Sequence, residues 1–122
     1  MILVTQAKID EYTAKGWWRT TTVDDRFRAR VAEFGDSEAL VDPPNRAELT
    51  GTPRRRLGWN AVADEVARTA MVLHGLGLRK DDVVLVQLPN TVEQFIVYVA
   101  CARLGLIVTP VPAQYREHER EH

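Results

Sequence analysis

Three short stretches of the chain hold residue types whose spacing could do chemistry. The first is "DDVVLVQLPNTVEQF", Asp81 to Phe95, an apolar run that turns directly into a helix-like segment. Such strand-to-helix junctions hold phosphates and nucleotides in many α/β proteins. The dinucleotide fingerprint, however, needs glycines so that the backbone can approach a pyrophosphate, and "LPNTVE" has none. Pro89 removes a backbone donor, and Glu93 places a negative charge in the first helical turn. The junction therefore reads as scaffolding. The second stretch is "LTGTPRRR", Leu49 to Arg56, with two hydroxyls, a glycine and three arginines that suit a phosphate. It lacks the GxxxxGK[ST] spacing and no strand-to-helix switch frames it, so a solvated basic hairpin loop is the favoured reading.

The third stretch is "HEREH", His118 to His122, a literal HExxH in which His118 and His122 would ligate zinc and Glu119 would act as base. No third ligand follows, none is obvious upstream, and the segment is charged on every face. It reads as a solvated helix start. Cys101 is the sole cysteine, set in an apolar helical run where a thiol behaves as a small hydrophobe. One cysteine allows no intrachain disulfide and no thiolate zinc site by itself. His74 falls near a helix end, where a cation suits the dipole. No Ser-His-Asp arrangement and no paired acid site stands out.

The elements that position these residues follow from periodicity and punctuation. Thr5–Lys15 is a polar helical lead-in that stops at Gly16. Trp17 and Trp18 read as an aromatic anchor packing this arm onto a larger body, favoured over a ligand-stacking or partner surface. Thr22 is the expected N-cap of a helix with Asp24 and Asp25 in its first turn and Phe27, Val31 and Phe34 on one face. "EALVD" and "RLGW" are short strands joined by the Pro- and Gly-rich loop "PPNRAELTGTPRRR". Asn60 is the expected N-cap of a helix with a Val62, Val66, Ala70, Leu73 stripe, with Gly75 and Gly77 as its stop. "VVLVQL" reads as a strand buried on both faces. Asn90 and Glu93 form an expected capping box for a helix over 91–104 that is apolar almost all round, and "LIVTPV" is the next strand.

Strand, helix and strand within about thirty residues make one right-handed βαβ unit with parallel strands. The fold class is thus α/β: a layered arrangement with a parallel βαβ unit. Two parallel strands are an unfinished sheet, so the chain reads as the opening piece of something larger.

The chain has 122 residues, 45% of them hydrophobic and 27% charged, with a net charge of −1. That balance gives no electrostatic footprint for nucleic acid or an anionic membrane. The longest apolar run, Phe95 to Ala113, carries Arg103 at its centre, which argues for a buried helix and strand over a membrane span. The N-terminal Ile2, Leu3 and Val4 are too few for a signal-peptide core. A cytoplasmic location is expected.

From Gly16 onward, "GWWRTTTVDD", "GLGLRKDDVVLVQLPN", "YVACARLGLIVTPV" and "YREHE" follow in an order that resembles the N-terminus of the AMP-forming acyl-CoA synthetases, nearest the cyclohexanecarboxylate and medium-chain acyl-CoA ligase branch. The resemblance implies that residues 1–21 are an N-terminal arm and 22–122 a partial AMP-binding subdomain. It implies a whole enzyme that uses ATP and Mg2+ to turn a small carboxylic acid into an acyl-adenylate, then transfers the acyl group to coenzyme A. The family's phosphate loop, adenine and ribose motifs, hinge and catalytic lysine lie downstream of the matched region. No catalytic, cofactor-binding or metal-binding residue is carried over, the chain alone is expected to be inactive, and none of these cofactors is expected to bind it. The alternative is a free-standing small α/β interaction module that binds a partner through an open sheet edge; separately, unpaired sheet edges offer a route to self-association.

Overall fold

A computed structural model describes residues 4–114. The arm is helix α1, Gln6–Ala14, none of whose residues is buried. It stops at Gly16, whose φ of +72° is the left-handed conformation that glycine adopts without strain. The expected aromatic anchor packs on its own arm. Tyr12 lies 5.4 Å from Trp17 and 5.2 Å from Trp18 between ring centroids, and Trp17 remains 68% exposed.

Helix α2, Val23–Phe34, opens on a full capping box. The Asp25 N–H donates to Thr22 Oγ1 at 3.1 Å, and the Thr22 N–H donates back to Asp25 Oδ2 at 2.8 Å. These bonds, the Thr22 backbone N–H first, hold the Asp25 carboxyl below its ordinary range. Strands β1, Glu38–Val41, and β2, Arg56–Gly58, pair antiparallel with a register irregularity between Glu38 and Leu40. Between them the expected loop contains a short helix, α3, Arg46–Thr50. Five residues are too few to show a helical period, and the flanking Pro and Gly hide it.

Helix α4, Trp59–Gly75, starts one residue after β2, so Gly58 and not Asn60 is its N-cap. Asn60 sits in the first turn and donates its amide to Asp36 Oδ1 at 2.9 Å. Gly58 is required by proximity: a Cβ there would lie 2.7 Å from the Asp36 carbonyl oxygen.

Strand β3, Val83–Val86, helix α5, Val92–Leu104, and strand β4, Ile107–Pro110, form the expected βαβ unit, with β3 and β4 parallel in the register Val83↔Ile107 to Val86↔Pro110. Gly105 caps α5 in the left-handed conformation. The expectation that β3 is buried on both faces is corrected. Val86 is buried, but Val83 and Leu85 are 57% and 58% exposed, so alternation leaves one face of this two-stranded sheet open.

The core lies where α2, α4 and α5 meet. Phe27 of α2, Val62, Val66 and Ala70 of α4, and Val92, Ile96, Val99 and Ala100 of α5 form one cluster, with Leu40 and Leu57 of the first sheet against it. Asp24 ties α2 to α5 by accepting from Arg28 at 2.7 Å and Arg103 at 3.0 Å.

The caps are separable by mutation. Thr22→Ala is expected to lower stability by about 1 kcal/mol. Asn90→Ala, at an exposed residue outside the helix, is expected to stay within about 0.5 kcal/mol of the parent. Urea midpoints of the two variants check the contrast, and a larger loss from Asn90→Ala contradicts it.

Candidate functional site

The β3–α5 junction gathers the most strongly interacting charges of the described residues. The expected Asn90–Glu93 capping box does not form. Thr91 is the N-cap and its side chain makes no capping bond. The first N–H of the helix, Val92, donates instead to Asp42 Oδ1 at 2.9 Å, across fifty positions of sequence. The other Asp42 oxygen accepts from the Arg55 backbone N–H at 2.9 Å and from Arg46 Nη1 at 2.8 Å. The Asp42 carbonyl accepts from Arg54 Nε at 2.7 Å.

Arg46 is the centre of the cluster. Its Nη1 and Nη2 both donate to Glu93, at 2.8 Å each, in a two-pronged pair, and its Nε donates to Thr52 Oγ1 at 3.1 Å. Arg55 donates to Glu93 Oε1 at 3.1 Å and also pairs with Glu65 of α4. The network thus joins the end of β1, helix α3, the entry to β2, helix α4 and the start of α5.

Its electrostatics follow from this wiring. The Arg46 guanidinium, then the hydroxyl and backbone donors and Arg55, hold the Glu93 carboxyl far below its ordinary value against the opposing effect of burial. For Asp42 burial is the largest influence and pushes upward. The Val92 and Arg55 N–H groups and Arg46 together outweigh it, so the carboxyl stays below its ordinary value. Arg46 is raised by its bonds to Glu93 and Asp42, and Arg55 by its bond to Glu65 first. Among the described residues no buried side-chain nitrogen or oxygen lacks a partner, the condition under which a buried ion cluster is tolerated.

These bonds decide the two stretches that suited a phosphate. In "LTGTPRRR", Thr50 and Thr52 hydroxyls bond each other at 2.6 Å, Arg54 and Arg55 are committed as above, and Arg56 pairs with Glu38 at 2.6 Å. At the β3–α5 junction the helix N-terminus is filled by Asp42. The junction is therefore closed to the phosphates of a nucleotide, and in "LTGTPRRR" Arg55 is held in the network while Arg54 and Arg56 stay exposed.

The remaining candidates fall elsewhere. Cys101 is buried, and burial pushes its thiol up, which leaves it unreactive. His74 lines an open cleft of about 480 Å3 between α4 and α5 with Met71, Arg103 and Leu104. Arg103 is committed to Asp24. The HExxH residues His118, Glu119 and His122 lie outside the described residues. Among the described residues no three His, Cys, Asp or Glu side chains are grouped to hold a metal. No helix among them is long and apolar enough to cross a membrane. Asp42 and Arg46 were not singled out by sequence, and Arg55 was singled out only as one of the three arginines that suited a phosphate. The one local signal is the i,i+4 pair Asp42 and Arg46 around Pro43-Pro44; the partners on α4 and α5 are remote.

The model of the AMP-binding enzyme family matches residues 27–122. The chain belongs to that family. Relatives include a 2-hydroxy-7-methoxy-5-methyl-1-naphthoate–CoA ligase from Streptomyces carzinostaticus, 32% identical over 88% of this chain and 18% of the relative. A salicyl-AMP ligase/salicyl-S-ArCP synthetase from Mycobacterium tuberculosis is 30% identical over 91% of this chain and 19% of its own length. Among solved structures, the N-terminal domain of FACL13 from Mycobacterium tuberculosis superposes with a TM-score of 0.71 at 24% identity, covering 83% of this chain and 23% of that one. The NpsA N-terminal subdomain from Klebsiella oxytoca gives 0.69 at 23% identity, over 81% and 24%. These two likenesses show the fold. The chain spans about a fifth of the length of the curated relatives it matches.

The lowered carboxyls set an acid limit. Each contributes stability that is fully present above its unfolded value of about 4 and is lost as pH falls through the lower folded value. The midpoint of urea unfolding is therefore expected to hold from pH 7 to about 5 and to drop below about 4. Glu93→Gln is expected to flatten that drop while lowering stability at pH 7. An unchanged acid profile in Glu93→Gln contradicts the assignment.

Proposed function

We propose that this chain is the opening scaffold of an ATP-dependent ligase, which turns a carboxylic acid into an acyl-adenylate and passes the acyl group to a thiol. The family match across residues 27–122 carries this reading. Within it, residues 1–21 are an arm and 22–122 part of the AMP-binding subdomain. The relatives matched over nine-tenths of the chain bear the names of a naphthoate–CoA ligase and a salicyl-AMP ligase, so aryl carboxylates lead the substrate panel. Acetate follows, because acetyl-coenzyme A synthetases also match, one of them 41% identical over half of this chain. Coenzyme A is the proposed acceptor and Mg2+ the proposed companion of ATP, in a cytoplasmic enzyme.

When bound, ATP supplies the adenylyl group that activates the acid. The residues of this chain hold structure: at the β3–α5 junction the donors and acceptors of Asp42, Arg46 and Glu93 are paired with one another. The relatives favour this reading over a free-standing interaction module.

ATP–pyrophosphate exchange with salicylate, a 2-hydroxynaphthoate, acetate and medium-chain acids tests it. The chain alone is expected to show none. Placed ahead of the downstream part of a salicyl-AMP ligase, in place of that enzyme's own opening segment, it is expected to support salicylate-dependent exchange. Exchange by the chain alone, or a folded chimera without exchange, overturns the scaffold reading.

A further inference from the structure

Helix α5 begins with donors converging on one carboxylate. The Val92 N–H reaches one oxygen of Asp42 at 2.9 Å. The Arg55 N–H and Arg46 Nη1 reach the other at 2.9 Å and 2.8 Å. Asp42 is 1% exposed and Arg46 5%. Two backbone N–H groups, a guanidinium and a helix N-terminus are what other α/β proteins use to hold a bound oxyanion. Here the oxyanion belongs to the chain, and it arrives from the end of β1.

We propose that Asp42 is the resident ligand of an oxyanion nest at the β3–α5 junction, a positioning residue that fixes the junction by filling the nest and keeps diffusible carboxylates out of it. The nest suits a planar carboxylate. Its donors serve two oxygens, one by Val92 and the other by Arg46 and Arg55. The remaining terminal nitrogen of Arg46 is taken by Glu93 at 2.8 Å, and the Glu93 charge opposes a dianion. Truncating Asp42 to alanine leaves the donors in place and opens a space the size of a carboxyl group. Formate has that size, shape and charge.

The test is rescue of Asp42→Ala by sodium formate against sodium chloride and sodium phosphate at matched ionic strength, read as the urea midpoint. Asp42→Ala is expected to lose stability in chloride and to regain it in formate along a saturating curve, as binding to the native state alone requires. Phosphate stabilises folded chains in general by exclusion from their surface, so each variant is read against the parent in the same salt, and Asp42→Ala is expected to gain in phosphate no more than the parent gains. Asp42→Asn fills the space and is expected to gain nothing from formate, as is Asp24→Ala, which empties the other buried carboxylate site. If Asp42→Ala is unfolded in chloride, the same titration followed by circular dichroism is expected to show refolding in formate. An Asp42→Ala midpoint equal to the parent's, equal responses to formate and chloride, or failure to refold in formate overturns the proposal. Rescue reads stability alone, so it stands or falls separately from the ligase activity.

Discussion

The structure depends on the compensation of one buried arginine. Arg46 is 5% exposed, and a guanidinium so placed is tolerated only with its charge matched and its donors used. Glu93 and Asp42 supply both. The consequence is geometric. Asp42 closes β1, Arg46 opens α3, Arg55 precedes β2 and Glu93 begins α5, so satisfying one cation fixes how the antiparallel pair sits against the βαβ unit. The apolar cluster of α2, α4 and α5 provides most of the driving force. The ion cluster provides orientation, because hydrogen bonds are directional and burial is not.

The network also explains why the most nucleotide-like junction of the chain is closed. A helix N-terminus attracts an anion, and here the chain supplies its own. In the "LTGTPRRR" stretch the two threonine hydroxyls bond each other, Arg55 is held by Glu65 and Glu93, and Arg54 and Arg56 each bond one partner at the surface among the described residues. The family membership rests on residues 27–122, and within them β3, α5 and β4 pack and orient the βαβ unit.

How much was legible follows the range of the interactions. The Thr22 cap, the Val62, Val66, Ala70 stripe and the βαβ unit were legible because each is written within a few turns of chain. Asn60 and Asn90 misled because both are good N-caps by type, while the real caps were decided by remote partners. β2 runs straight into α4 at Gly58, and Asp42 reaches the α5 terminus from fifty residues away. Helix α3 was hidden by its length and its Pro- and Gly-rich flanks; Arg46 stabilises it through bonds to α5. The open face at Val83 and Leu85 escaped a pattern reading because an all-valine-and-leucine strand shows no alternation. Of the candidate site, Glu93 was noticed as an obstacle to anions; its pairing to Arg46 across 47 positions has no local signature.

A double-mutant cycle between Arg46→Ala and Glu93→Ala, read as unfolding free energies at pH 7, measures the central interaction most directly. The network predicts strong non-additivity, a coupling of about 1–3 kcal/mol, with the double variant far less destabilised than the sum of the singles. Additive losses, with coupling below about 0.3 kcal/mol, would contradict the claim that this pair orients the fold.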